Sequence, residues 1–230
     1  MGRRGRRPSS VVTVIVLLGA PGAGKGTQAP AIAARLGIPV LASGELLRAA
    51  VADQSALGRD ANRYMSRGQL VPDETIVRVF LDRLEAADAV DRAILDGFPR
   101  TNVQAEALDR ALAETGRRVD LAGYIEVPVE DLVMRMANRR ICVANGHVYN
   151  LVSNPPTVDA VCDLDGSGLV QRGDDEESTV RVRMAQQVPP LLEVVDHYRT
   201  RGVLVTVDGR LGIDAVTDAL MAALAHVGAA

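Results

Sequence analysis

The sequence predicts an α/β fold, a parallel β-sheet with helices on both faces. Short apolar, β-branched runs alternate with segments of helical periodicity over most of the 230 residues, which is typical of parallel sheets. The first run, residues 11–18, is apolar without interruption, as expected for a strand buried on both faces. Residues 140–175 interrupt the alternation with glycines, prolines and asparagines. That segment is too long for a plain loop in a compact domain, so it predicts a small inserted unit.

Five strands and seven helices are expected within one domain spanning residues 11–230. The strands are predicted at residues 11–18, 39–41, 93–96, 121–127 and 203–208. The helices are predicted at residues 24–36, 44–52, 73–87, 102–115, 129–138, 177–199 and 213–227. Residues 1–10 are expected to be a disordered basic tail. Pro30 and the pair Pro189 and Pro190 predict a bend or break in two of these helices, because proline removes a helix hydrogen bond.

Composition excludes several functional classes. The net charge of -3 gives no general attraction to nucleic acid or to an anionic membrane. Two cysteines are too few for a disulfide framework and indicate a reducing, cytoplasmic setting. The basic start followed by an apolar run resembles a signal peptide, but a glycine-rich loop would then lie at the cleavage site, so a buried strand is favoured. No apolar run reaches the roughly 18 residues of a membrane span.

A phosphate-binding loop is predicted directly after the first strand. Residues 19–28 form the phosphate loop, with the sequence GAPGAGKGTQ. Its four glycines allow successive backbone N–H groups to turn toward a phosphate, and the following helix adds its positive N-terminal end. Lys25 is the single lysine among 26 basic residues, and it is expected to contact the β- and γ-phosphates of a nucleotide.

The loop pattern G-x-P-G-x-G-K-G-T resembles that of nucleoside monophosphate kinases, and specifically the adenylate kinase family. Further motifs of that family recur as LASGELLR (residues 41–48), GQLVPDE (68–74) and AILDGFPRT (93–101). The resemblance implies a P-loop NTPase-type parallel β-sheet flanked by helices, with a helical AMP-binding segment at residues 42–71 and an inserted lid at residues 138–175. It also implies a cytoplasmic monomer that reversibly transfers a phosphoryl group from ATP to AMP, giving two ADP.

The same resemblance assigns residues to each nucleotide. For ATP it implies Gly22, Ala23, Gly24, Lys25, Gly26, Thr27, Arg135, Arg139, Val148, Tyr149 and Leu211. For AMP it implies Ser43, Arg48, Gln69, Leu70, Val71, Gly97, Phe98, Pro99, Arg100, Gln104, Arg172 and Arg183. The catalytic set that surrounds the transferred phosphoryl group comprises Lys25, Arg100, Arg139, Arg172 and Arg183.

Magnesium is the expected cofactor, arriving with ATP. The strict loop pattern has a hydroxyl residue directly after the lysine, whereas here Gly26 takes that place and Thr27 follows. Contact of the ion with the protein is therefore expected to be largely through water. Asp96 is expected to hold a magnesium-bound water from the end of its strand.

Four arginines are expected to converge on the phosphates. Arg135 and Arg139 are four residues apart on a predicted helix, so their guanidinium groups would share a face and repel one another. Arg172 and Arg183 bracket the sequence GDDEESTV. Such a set is costly without an anion, and the transferred γ-phosphoryl group would supply one.

The lid sequence carries an incomplete zinc pattern. Family members with zinc have Cys, Cys, Cys and Cys or Asp at four lid positions, and members without zinc have hydrogen-bonding residues there. This chain has Cys142, Asn145, Cys162 and Asp165. Asparagine is a poor zinc ligand, so two thiolates and a carboxylate leave a tetrahedral site one ligand short. His147 lies two residues beyond the ligand position, and the sequence leaves open whether the turn brings it to the site. A lid held by hydrogen bonds, with free thiols and no metal, is therefore expected over zinc at Cys142, Cys162 and Asp165.

Three alternatives remain open from the sequence. A UMP/CMP kinase shares the loop and the GFPR motif, although the long lid favours AMP as the acceptor. A zinc-ribbon module that binds nucleic acid is disfavoured, because residues 141–175 hold five aspartates and one arginine, whereas such a module should be basic. A nucleotide-dependent switch would leave the acceptor-side arginines without a role. A panel of nucleoside monophosphates distinguishes the two kinases.

Overall fold

The computed structural model of the protein describes residues 13–52, 54, 56–67, 69, 71–84 and 92–227. Its central sheet contains β1 (Thr13–Leu18), β2 (Val40–Ala42), β3 (Arg92–Asp96), β4 (Leu121–Glu126) and β8 (Leu204–Asp208). A second sheet contains β5 (Arg139–Cys142), β6 (Val148–Asn150) and β7 (Leu169–Val170). The central strands are parallel and lie in the order β2-β3-β1-β4-β8. The predicted α/β class is confirmed.

The described residues form eight α-helices. They are α1 (Lys25–Leu36), α2 (Ser43–Ala52), α3 (Ala56–Met65), α4 (Asp73–Leu84), α5 (Asn102–Glu114), α6 (Val129–Ala137), α7 (Glu177–Thr200) and α8 (Ile213–Val227). A single 3-10 turn, Gly173–Asp175, precedes α7. Among these helices only α3 was not predicted, because its sequence ALGRDANRYM has few large apolar residues and contains a glycine. Both α1 and α7 continue through their prolines, so none of the three prolines breaks its helix.

The core explains why the first strand is apolar throughout. Val14, Ile15, Val16 and Leu17 in β1 are at most 1% exposed, because β1 lies between β3 and β4 and is covered on both faces. Behind it, α1 is fixed to α8 by a buried amide: Gln28 donates to the Ile213 carbonyl at 3.0 Å and accepts from the Thr217 hydroxyl at 2.6 Å. The start of α1 is thereby held at the end of β1.

The functional edge of the sheet lies where the parallel strands end. Leu17 in β1 is paired with Asp96, the last residue of β3. Ala42, the last residue of β2, is also paired with Asp96. Because the carboxyl ends of parallel strands meet at one edge, the phosphate loop, the start of α2 and Asp96 lie at that edge.

Residues 138–175, called the insert from here on, fold around their own small sheet. Its strands are antiparallel in the order β6-β5-β7 and enclose Cys142, Tyr149, Cys162 and Leu169. A non-helical inserted unit was expected here. The expectation that Arg135 and Arg139 share a helix face is wrong, because α6 ends at Ala137 and Arg139 begins β5.

Some predictions lie outside the described residues. They concern the basic tail at residues 1–10, the first two residues of the first strand, the end of the helix predicted at residues 73–87, and Leu70. Among the helices that the structure describes, none has both the length and the apolar character that crossing a membrane requires.

Candidate active site

The phosphate loop and the start of α1 form a cradle for an anion. Gly24, with a left-handed φ of 104°, precedes the first helical residue, Lys25. Gly22 also has positive φ, and a Cβ there would lie 2.8 Å from Met136 Cγ, so the loop needs glycine at that point. The first N–H groups of a helix lack partners within the helix and favour a phosphate.

Lys25 is folded back onto the loop. Its Nζ donates to the carbonyl oxygens of Gly19 at 2.6 Å and Ala20 at 3.1 Å. Burial lowers the pKa of Lys25 to about 8, against the attraction of Asp96 and with the repulsion of Arg100, Arg183 and Arg139. An anionic ligand would relieve this cost, because it stabilises the charged ammonium.

Asp96 lies beside the start of α1, where a magnesium ion on a bound nucleotide would be. Its Oδ2 is 3.8 Å from the position that a Cβ on Gly26 would take. Thr27 follows in the first turn of α1 and is exposed. Carboxylate and hydroxyl oxygens are hard ligands that suit magnesium, so these residues fit the expected cofactor.

A second cavity, the α2–α4 cavity, opens beside the phosphate loop. Its apolar wall includes Leu47, Met65, Val71 and Ile76. Its polar lining comprises Ser43, Gly44, Arg48, Gln69, Gly97, Arg100, Gln104, Asp174, Arg183 and Gln187. An apolar wall combined with several cations suits a ligand that has a flat base and a phosphate.

Ser43 and Arg100 are joined at the floor of this cavity. The Ser43 hydroxyl donates to the Gly97 carbonyl at 2.8 Å and accepts from Arg100 Nη2 at 3.2 Å. Arg100 Nε donates to the same Gly97 carbonyl at 2.7 Å. Gly97 has a left-handed φ of 72°, and a Cβ there would lie 2.6 Å from the Ser43 hydroxyl, so only glycine fits. Phe98 and Pro99 beyond it are buried, and the Phe98 ring stacks on Phe80.

Three of the four arginines expected to converge, Arg139, Arg172 and Arg183, lie near one another. The expectation is wrong for Arg135, which donates to the Gly209 carbonyl instead. Two aspartates compensate two of the converging arginines. Asp175, with a fully buried side chain, accepts from Arg139 Nε at 2.8 Å and from Arg139 Nη2 at 2.5 Å. Arg183 donates to Asp174 Oδ2 at 2.9 Å, and its Nη1 is 3.8 Å from Asp175 Oδ1. The expectation that only a bound phosphoryl group neutralises the set was therefore incomplete.

The cationic cluster comprises Lys25, Arg48, Arg100, Arg139, Arg172 and Arg183. Burial, with repulsion from neighbouring arginines, lowers the pKa of Arg100, Arg172 and Arg183. Arg48 contributes to that repulsion in all three cases, so the α2–α4 cavity and the insert share one electrostatic environment. A cluster of this kind is suited to a polyphosphate.

The insert brings four possible metal ligands together. The ligand atoms of Cys142, His147, Cys162 and Asp165 lie within 4.8 Å of one another. Tetrahedral zinc, with bonds of about 2.0–2.3 Å, holds its ligand atoms roughly 3.3–3.8 Å apart, so the more distant ligands of this set would have to move closer together to bind it. The sequence left a fourth ligand open, and the structure supplies a candidate, because the turn brings His147 Nδ1 to 3.3 Å from Cys162 Sγ.

The same cluster is also linked by hydrogen bonds. Asn145 donates to Asp165 Oδ2 at 2.7 Å, and Cys142 Sγ is 3.2 Å from that oxygen. Hydrogen bonds from Ser167 and Asn145 hold the pKa of the Asp165 carboxyl well below its ordinary value. Both cysteines are free and buried.

Comparison with known proteins decides the family. The adenylate kinase family profile matches residues 17–203. The adenylate kinase of Staphylococcus epidermidis is 44% identical over 213 residues, which cover 93% of this chain and 99% of the relative. That of Lachnospira eligens is 45% identical over 210 residues, covering 90% and 97%. That of Staphylococcus aureus is 43% identical over 213 residues, covering 93% and 99%.

The chain belongs to the adenylate kinase family. Membership favours the adenylate kinase interpretation over a UMP/CMP kinase, a zinc-ribbon module or a nucleotide-dependent switch. The motifs that carried the resemblance also lie together in space, at the phosphate loop and around the α2–α4 cavity.

Several residues expected to contact ATP in an adenylate kinase lie at the margin of this site. Arg135 donates to the Gly209 carbonyl at 2.9 Å, two residues before the exposed Leu211. Val148 is also exposed. The Tyr149 side chain is buried within the insert, where its hydroxyl accepts from the Asp163 N–H at 2.8 Å. Its ring is therefore used within the insert, and its backbone is paired with Arg140 of β5.

Sequence reasoning missed three groups at this adenylate kinase site. Asp174 and Asp175 bind the converging arginines, although their position between Arg172 and Arg183 was a usable signal. Asp73, the first residue of α4, accepts from Gln104 Nε2 at 2.7 Å. Gln187 accepts from Arg100 Nη1 at 3.4 Å, and the sequence pattern of α7 gave no sign of it.

Proposed function

We propose that this chain transfers the γ-phosphoryl group of ATP to AMP, giving two ADP, at the junction of the phosphate loop and the α2–α4 cavity. The observation that carries the proposal is the cationic cluster, whose members come from both sides of that junction. ATP would lie on the loop, and AMP would lie in the cavity with its phosphate toward Arg48 and Arg100. Family membership supports the same reaction.

On the ATP side, the loop residues Gly22 to Thr27 would bind phosphate oxygens through backbone N–H groups. Lys25 would leave the Gly19 and Ala20 carbonyls for the β- and γ-phosphates. Arg135 and Leu211, together with the exposed Val148 and its neighbour Tyr149, would border the nucleoside.

On the AMP side, Ser43 and Arg100 would fix the phosphate from the cavity floor, and Arg48 would approach it from α2. Gln69, Val71 and Gln104 would surround the base. Leu70 and the bounds of the AMP-binding segment, residues 42–71, stay predictions.

The transfer itself needs no protein nucleophile or strong base. Arg139, Arg172 and Arg183 would hold the γ-phosphoryl group in line with the AMP oxygen and offset the charge on its oxygens. Magnesium bound with ATP supplies further charge neutralisation, and Asp96 would orient its water ligands. Asp174 and Asp175 would keep two of the arginines in position before ATP arrives.

Lys25→Met tests the assignment. We expect ADP formation from ATP and AMP to be lost, because no other ammonium can enter the loop, while the melting temperature stays close to that of the wild type. Arg110→Met is the matched control, since Arg110 lies on α5 with a side chain 69% exposed. A folded and fully active Lys25→Met protein would contradict the proposal. The same assay with UMP and CMP as acceptors distinguishes this enzyme from a UMP/CMP kinase, and we expect AMP to be the preferred acceptor.

The finer properties of the chain are also proposals. A monomer is what the family resemblance implies, and light scattering after gel filtration tests it. The two free thiols support a reducing, cytoplasmic setting. If the insert holds zinc, the ligands would be Cys142, His147, Cys162 and Asp165, and the ion would cross-link the two turns. One zinc per chain after dialysis against a chelator would contradict the expected metal-free insert.

A further inference from the structure

The side-chain amide of Gln104 is held at both ends. Its Oε1 accepts from the Arg100 backbone N–H at 2.7 Å, and its Nε2 donates to Asp73 Oδ1 at 2.7 Å. Gln104 is 2% exposed and lines the α2–α4 cavity. A backbone N–H can only donate and a carboxylate can only accept, so these two partners fix the orientation of the amide.

The fixed amide keeps one donor and one acceptor for a ligand. A glutamine amide has two N–H donors and two acceptor lone pairs. The protein uses one of each at Gln104. The cavity therefore presents an N–H next to a carbonyl lone pair, in an order that its protein partners determine.

That order distinguishes between bases. Adenine has an acceptor at N1 beside a donor at N6, which complements a free N–H and a free lone pair. Hypoxanthine has the same ring shape with the order inverted, a donor at N1 and an acceptor at O6. To bind hypoxanthine, the Gln104 amide would have to rotate by 180°. Its oxygen would then face the Asp73 carboxylate and its nitrogen would face the Arg100 N–H, and both contacts are repulsive.

We propose that Asp73 is a positioning residue that sets base specificity by preventing rotation of the Gln104 amide. It touches no nucleotide and acts through Gln104. The inference rests on the proposed function, because it takes the α2–α4 cavity to be the AMP site. The Arg100 backbone N–H also opposes rotation of the Gln104 amide. Removing the Asp73 carboxylate should therefore weaken the preference for adenine over hypoxanthine without abolishing it.

The test compares AMP and IMP as phosphoryl acceptors for the wild type and for Asp73→Asn. We expect the ratio of kcat/KM for AMP to kcat/KM for IMP to fall about tenfold in the variant, because an asparagine amide can face either end of Gln104. Structural damage would lower both values and leave the ratio unchanged. Asp73→Ser, whose hydroxyl can donate or accept, should relax the ratio in the same direction.

Glu74→Gln is the matched control, since it removes the same charge from the next, exposed residue of α4. Its ratio should equal that of the wild type. An unchanged ratio in a folded Asp73 variant, or an equal fall in Glu74→Gln, would overturn the inference. Use of IMP as efficiently as AMP by the wild type would also overturn it. A wild-type protein that makes no ADP from ATP and AMP would instead contradict the proposed function.

Discussion

In the free protein, the burial of Lys25 opposes the positive charge that phosphate binding requires of it. Its ammonium must remain charged to bind phosphate, yet burial lowers its pKa to about 8. The nearest compensation comes from two carbonyl oxygens and the charge of Asp96. Two of its guanidinium neighbours, Arg139 and Arg183, are paired with aspartates, whereas the Lys25 ammonium is bound only by carbonyl oxygens. The phosphates of ATP would therefore stabilise the charge on Lys25.

ATP binding should therefore take up a proton above about pH 8. The folded pKa is about 8, against an ordinary value of 10.5, so free Lys25 is mostly neutral at pH 9. Bound phosphates favour the charged form, and affinity should fall as the pH rises through 8. Calorimetry in two buffers of different ionisation enthalpy should give an uptake of roughly half a proton or more at pH 9.

The control for this pH effect is Lys25→Arg, because a guanidinium keeps its charge throughout that range. Its binding should involve no such uptake. The pH dependence of folding stability runs in the opposite direction to that of ATP affinity. Between pH 8 and 10.5, Lys25 binds more protons in the unfolded chain than in the folded one, so its contribution to the free energy of unfolding rises with pH across that window. Equal uptake in Lys25→Arg would contradict the assignment to Lys25.

At the scale of elements, the sequence predicted what depends on local pattern. The central strands and seven helices follow from apolar periodicity, which the described bounds confirm closely. Helix α3 was not predicted because its apolar residues are few: Ala61 is its fully buried contact with the core, and Tyr64 and Met65 pack there only in part. The strands of the insert were not predicted, because at two to four residues they are too short to give a clear apolar periodicity.

The junction between the insert and α7 depends on Asp175. Its fully buried carboxylate binds Arg139 from β5, and Arg139 is itself only 20% exposed. Asp175→Asn leaves that guanidinium without its buried counter-charge, so we expect a loss of about 3 kcal/mol in the free energy of unfolding. Urea denaturation measures the loss, and kcat should fall because Arg139 is no longer held.

The neighbouring carboxylate provides the comparison for this prediction. Asp174 is 37% exposed and is paired with Arg183. Solvent screens a pair of this kind, so Asp174→Asn should cost about 1 kcal/mol or less. Equal losses in the two variants would show that burial does not determine the contribution of these aspartates.

At the scale of the whole molecule, the sequence predicted which residues meet but not what holds them. Ser43, Arg100 and Gln104 were identified from motifs, and they do share one cavity. Their partners Asp73 and Gln187 were not identified, although Asp73 lies within the motif at residues 68–74, because each makes its contact from a distant segment of the chain. The same holds for His147, whose approach to Cys162 depends on the shape of a turn.

The cationic cluster makes the stability of the whole protein dependent on anions. Its six cations come from the loop, α2, the segment after β3, the insert and α7, and they repel one another in the free protein. A polyphosphate that binds only the folded state at 100 times its dissociation constant adds about 2.7 kcal/mol. For a chain of this length, that raises the melting temperature by about 5–10 °C.

Inorganic tripolyphosphate is the probe for this effect, because it has no base and tests the cations alone. Differential scanning calorimetry should give the full shift at low salt and a smaller one in 1 M sodium chloride, where charges are screened within about 3 Å. Arg183→Ala should reduce the shift, since Arg183 repels Lys25 and Arg100 and shares their anion. Arg110→Ala, on the exposed face of α5, should keep it. An equal shift in both variants would mean that the anion binds outside the cluster.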